Sequence, residues 1–347
     1  MGVDLSSEDS SAPTSAWKTY AKTFVLVFVG IAIAIAPFLI ASRFLWSGVA
    51  SIAIFGVFVS TLGTFTNGPR VGLGFGLLFV VLGTLAVACS ENHLLAALLV
   101  AAASAGIAVS AVYGFASVML LPAMFVPYLI HQPPATLNGA GRTPAYFGAI
   151  ALTLLIAALW GTLLAWLIRR GKERPPAATR VAPRDAAVGG VLGVVVAGGI
   201  TYIALTWFAS TMWVWLLLTL FVLTKPSADL NLRKTRDRIV GTMVGVAAAT
   251  VIALFGLPAA ATAAIGVLAL TVALTLTVLK KPYWIYASFM TPAIIMFDSS
   301  QATTAAIAEQ RLIYTVLGGI LAVLLGASIN QAVLLSRRRE AGAPVAG

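Results

Sequence analysis

Charge is scarce in this chain. Only 10% of its 347 residues are Asp, Glu, Lys or Arg, against about 25% in a soluble domain, so a water-facing globule is excluded. Cysteine is scarcer still: the single Cys89, set in an apolar run, leaves no intrachain disulfide. The two histidines, His93 and His131, have no companions at ligand spacing, so no metal site is expected. No Walker-type lysine motif occurs. The "RVGLGFG" stretch at Arg70 lacks the strand that a dinucleotide loop follows. Acids number eleven, and none stands clearly in the middle of an apolar run. No nucleophile–base constellation is present either. The reading is a non-enzyme without cofactor.

What the chain has is hydrophobicity, 60% of all residues with a mean hydropathy of +0.99. At about 20 apolar residues per span it reads as an all-α polytopic membrane protein of about twelve transmembrane helices. Open strands would leave backbone groups unsatisfied in lipid. The first six helices are expected near 24–41, 44–65, 71–89, 94–112, 113–130 and 145–168. The second six are expected near 186–208, 211–225, 239–256, 259–279, 283–297 and 312–335.

The formal charge of +11 is explained by topology rather than by nucleic acid. With both termini in the cytoplasm, all but three of the 22 basic residues fall on the inner side, the exceptions being Arg43, Arg142 and Arg311. The inner bases also face anionic lipid. The expected location is the inner, or cell, membrane.

Two phrases repeat. "YGFASVMLLPAMF" (113–125) and "YWIYASFMTPAIIMF" (283–297) each carry a tyrosine followed nine residues later by Pro-Ala. Trp46 precedes Arg70 at nearly the spacing at which Trp213 precedes Arg238. Arg70 is followed by Gly72-x-x-x-Gly76, and Arg238 by Gly241-x-x-x-Gly245. With the arginines that end each half, Arg169-Arg170 and Arg337-Arg338-Arg339, these make four landmarks in one order and imply a tandem duplication. An even number of spans per unit makes the two copies parallel. The expected organisation is a disordered polar start (1–16), a first six-helix repeat (17–168), a basic linker (169–185), a second repeat (186–336) and a basic tail (337–347).

The repeated prolines, Pro122 and Pro292, each remove a helix donor and free a carbonyl one turn earlier. That carbonyl needs a neighbour, water or a passing ligand. Symmetric breaks point to a central cavity, the plain alternative being a packing kink. Tyr113 and Tyr283 belong either to the same pathway or to the interface. The paired glycines suit close helix contact. Arg70 and Arg238 open the third helix of each half, serving topology alone or holding an anion with help from the helix dipole. Thr242 would add a hydroxyl donor beside Arg238, while Lys234 lies in the same loop outside the motif. Asp298 is either a loop cap or the one ionisable group next to a span.

The stretch "WVWLLLTLFVLTKPSADLNLRKTRDRIVGTMVG" (213–245) resembles the fusaric acid resistance and aromatic acid exporter family. Shared features are the Trp-led helix, Pro226-Ser227, the basic loop and Arg238-x-x-Gly241-Thr242-x-x-Gly245. "RLIYTVLGG" at Arg311 is similar to the start of the family's last helix. The resemblance implies gradient-driven export of small amphipathic organic acids by six-helix units, repeated or dimerised. It is that of a half-size member, since 169–185 and the tail are too short for large cytoplasmic domains. The expected partners are a small organic anion, membrane lipid, and a second copy or a periplasmic adaptor. A non-transporting scaffold or assembly protein and a passive anion channel are the competing readings.

Overall fold

The computed structural model describes residues 14–139, 141–170, 179–224, 232–298 and 304–341. Among the described residues there are twelve α-helices and no strand. They are α1 (Thr14–Phe44), α2 (Gly48–Asn67), α3 (Pro69–Cys89), α4 (His93–Val112), α5 (Ala116–His131) and α6 (Pro144–Arg169), then α7 (Pro183–Trp207), α8 (Val214–Leu223), α9 (Leu232–Leu254), α10 (Ala259–Val278), α11 (Tyr283–Asp298) and α12 (Thr304–Ala341). Nine of these are long and apolar enough to cross a membrane. The protein is therefore an all-helical polytopic membrane protein.

Local chemistry sets many of the boundaries. Asn92 caps α4, its side chain accepting from Leu95 N–H at 3.0 Å. Thr143 caps α6 in the same way, with Pro144 at the first helical position. Pro69 opens α3 directly after Gly68, whose φ of 98° allows the sharp turn out of α2. Several boundaries depart from expectation. Helix α9 begins at Leu232 because Arg and Lys are good helix formers and the helix continues past its apolar part. Helix α12 begins at Thr304 and runs to Ala341, so Arg337–Arg339 end a helix rather than form a tail. Helix α1 starts at Thr14, inside the stretch expected to be disordered. Tyr113 lies in the turn before α5, not within it, because Gly114 at φ 81° breaks the chain there.

The chain forms two compact units that do not follow its sequence halves: 1–33 with 240–305, and 34–239 with 306–347. In the larger unit α2 packs on α3 and α6, α3 also packs on α5 and α6, and α4 packs on α5 and α7. Small residues make these approaches close. A Cβ on Gly76 would stand 2.8 Å from Ala158 Cβ on α6, and one on Gly190 would stand 2.9 Å from Ala108 Cβ on α4. In the smaller unit α10 packs on α11, and Gly241 and Gly245 of α9 lie against α11. Both sequence-predicted glycine pairs thus serve helix contact, though on non-equivalent partners.

Three apolar helices are short. With 16, 10 and 16 residues, α5, α8 and α11 reach about 24, 15 and 24 Å at ~1.5 Å per residue. A hydrocarbon layer is ~30 Å thick, so α8 covers only about half of it.

Candidate functional site

The sequence-predicted residues fare unequally. Arg70, at the second position of α3, is exposed. Its counterpart Arg238 is 3% exposed, and Thr242 is fully buried one turn further along α9. Tyr113 is 62% exposed. Tyr283, the first residue of α11, is half-buried with its ring 5.6 Å from that of Tyr286. The side chain of Asp298, which ends α11, lies outside the described part of the structure, as do Lys225, Pro226 and Ser227.

Both repeated prolines are buried within unbroken helices. At Pro292 the neighbour that covers the freed carbonyl is identifiable. Proline at 292 leaves Ser288 C=O without its helical donor. A Cβ on Gly245 would stand 2.7 Å from that oxygen and 2.9 Å from Pro292 Cδ. A glycine alone brings α9 this close, with its Cα–H facing the carbonyl. A small cavity of about 40 Å³ lies elsewhere, among Ser104, Gly190, Gly193, Phe221, Thr224 and Leu325. Neither proline lines it.

The concentration of chemistry is around the short helix α8. Arg311 of α12 is 1% exposed, and its guanidinium carbon sits 4.0 Å over the ring of Trp215. That is stacking distance for a cation on an aromatic face. The Trp215 ring in turn lies 6.4 Å from Tyr128 of α5, which meets Phe55 of α2 at 5.3 Å. Trp213, just before α8, meets His131 at 5.7 Å with the rings nearly perpendicular. Two hydrogen bonds hold the α7–α8 turn to α12: Met212 N–H donates to Gln310 Oε1 at 2.8 Å, and the hydroxyls of Thr211 and Tyr314 pair at 2.6 Å. Residues 310, 311 and 314 share one helical turn, so the contacts that fix the turn also place Arg311.

The other end of α8 carries the second basic group. Lys234 Nζ donates to Val222 C=O at 2.7 Å, satisfying a carbonyl of the last turn. Arg169 treats α2 alike, donating to Thr64 and Phe65 carbonyls at 3.0 and 2.7 Å. Lys234 is therefore part of the α8 architecture, not the bystander its position outside the motif had implied. Arg238 follows Lys234 by four residues. Thr235 and Ile239, on the same stretch of α9, approach Gly319 of α12. Buried arginines thus stand on both helices that touch α8, Arg311 on α12 and Arg238 on α9.

Residues 200–325 match the fusaric acid resistance protein-like family.

This fusaric acid resistance protein-like segment covers roughly a third of the chain and includes Trp213, Trp215, Arg238, Thr242 and Arg311. The match supports a transporter-like membrane function. No curated protein and no solved structure matches the chain. Sequence reasoning had counted Arg311 as an exception to the charge rule and as the start of a family-like last helix, not as a site residue. A sharper signal was available: Arg311-x-x-x-Thr315-x-x-Gly318 repeats the spacing of Arg238-x-x-x-Thr242-x-x-Gly245. All four Arg and Thr residues of these motifs are buried.

Proposed function

We propose that the protein exports small amphipathic organic anions, aromatic acids among them, across the cell membrane, driven by an ion gradient. The observation that carries this is Arg311, a permanently charged guanidinium buried against Trp215 within the family-matched segment. Burying such a charge is costly, and in membrane helices such residues mark ligand or ion routes. Arg238, buried on α9, supplies a second attraction for an anion. The two sequence halves are read as parallel repeats around the route, with both termini cytoplasmic.

The test is flux from proteoliposomes loaded with benzoate. An imposed proton gradient is expected to raise benzoate flux several-fold above that of protein-free vesicles. Flux indifferent to any ion gradient would make the protein a channel, and no flux of any carboxylate would leave a scaffold.

The orientation has its own check, in a Cys89→Ala background. Single cysteines placed by Ala177→Cys and Ser227→Cys are expected to react only with reagent that enters the cell. Thr136→Cys is expected to react with impermeant reagent outside. Labelling of position 227 from outside would reverse the orientation.

A further inference from the structure

We infer that the start of α1 and the α10–α11 turn together form a docking site for the headgroup of an anionic phospholipid. The two segments meet where Lys281 Nζ stands 5.1 Å over the ring of Tyr20. That contact gathers four exposed lysines, Lys18, Lys22, Lys280 and Lys281, at one junction. None of the four has a carboxylate partner among the described residues. The described part of this compact unit holds a single acid, Asp298, at the other end of α11, about 24 Å away along the helix. The protein itself therefore leaves this concentration of positive charge without its complement.

The level of the charge names the occupant. Helix α1 is apolar from Phe24 onward, α10 up to Leu279, and α11 from Tyr283, so the lysines stand at the edge of the apolar layer. Trp17 and Trp284, both exposed, adjoin them in sequence, and indoles settle at the headgroup level. The anion met there is a lipid phosphate. Lys280 adds a second observation. It is the sole non-glycine residue at positive φ, 52°, among the described residues. It closes α10 where the Lys281 N–H reaches Leu276 C=O at 2.9 Å, a place that ordinarily takes glycine. A side chain kept there at a backbone cost points to use of its charge. Helix α1 also has little else to hold it, since only 6% of its most apolar stretch is buried. A phosphate accepting from lysines of both segments would fasten it to the α10–α11 turn. Such binding is independent of the exporter reading above.

The experiment titrates the purified full-length protein in detergent with dioleoylphosphatidylglycerol, dioleoylphosphatidylcholine or inorganic phosphate, read by thermal melting and native mass spectrometry. The glycerol lipid is expected to raise the melting temperature saturably and to be retained in preference to the choline lipid. Replacing Lys280→Gln and Lys281→Gln together is expected to weaken its binding about tenfold or more, and Lys18→Gln with Lys22→Gln to act in the same direction. The control is Arg180→Gln with Arg233→Gln, the same loss of charge at two exposed positions outside the site, and it should leave the preference intact. Lys280→Gly separates charge from fold. It is expected to raise the melting temperature without lipid, because glycine adopts positive φ freely, and yet to weaken lipid binding about fivefold. Equal binding of the two lipids overturns the site, as does an equal loss in the control pair. Inorganic phosphate that reproduces the stabilisation overturns the lipid assignment. If the double lysine variants do not fold, Lys280→Gly decides, and undiminished lipid binding there overturns the site.

Discussion

Arg238→Gln is expected to lower carboxylate flux by about tenfold or more, the loss of ~1.4 kcal/mol that one charge-assisted contact supplies. The side chain is buried in the first turns of α9, one turn after Lys234, which caps α8. Glutamine keeps a donor but loses the charge and the planar fork. Orientation in the membrane should survive, since Lys225, Arg233, Lys234 and Arg236 keep the loop basic. The matched control is Arg233→Gln, because Arg233 is exposed in the first turn of the same helix. Lys234→Gln would not serve, as it removes the bond to Val222 C=O and so disturbs α8 itself. Flux measured in proteoliposomes decides. Equal and small losses from Arg238→Gln and Arg233→Gln would make Arg238 a topology charge and nothing more.

Gly245→Ala is expected to destabilise the fold by about 1–3 kcal/mol, the usual cost of forcing a methyl group into a filled contact. The added carbon would meet Ser288 O and Thr291 Cβ at 2.7 Å and Pro292 Cδ at 2.9 Å. None of these atoms can rotate away, so α9 and α11 must separate. Separation also uncovers the carbonyl that Pro292 deprives of its donor, which lipid cannot hydrate. Gly74→Ala and Gly148→Ala are the comparison, since a Cβ at either position meets nothing within 4 Å. There the better helix propensity of alanine makes the change neutral or slightly stabilising. Melting in detergent provides the measurement, and a Gly245→Ala protein as stable as these controls would refute the account.

The glycine–proline contact explains why a proline phrase tolerates a membrane helix. The broken hydrogen bond at Ser288 is met by close backbone approach from α9, and that approach needs glycine at 245. The first copy has Pro122 in the corresponding place, but Gly72 and Gly76 pack toward α2 and α6 instead. Repeated sequence therefore does not imply repeated packing. A helix surface of small residues accepts several partners, and which one it meets depends on the neighbouring helices.

The chain's sequence by itself determined that it is helical and membrane-embedded, and where most helices lie. Long apolar runs admit only helices in lipid, and Gly68-Pro69, Asn92 and Thr143 mark boundaries through local backbone chemistry that needs no tertiary partner. It also carried the family resemblance, through Trp213, Arg238, Gly241, Thr242 and Gly245. What only the tertiary structure decided is which of several similar residues is buried beside which. Arg70 and Arg238 hold matching places in the repeated sequence motif, yet the first is exposed at the start of α3 and the second buried at the seventh position of α9. Lys234 looks like a loop charge and caps α8. Arg311 and Trp215 are far apart in the chain and meet where the α7–α8 turn is fastened to α12 by Gln310 and Tyr314. The physical reason is range. Hydropathy and capping act over a few neighbouring residues, whereas the cost of burying a charge or an indole N–H depends on groups brought by distant helices.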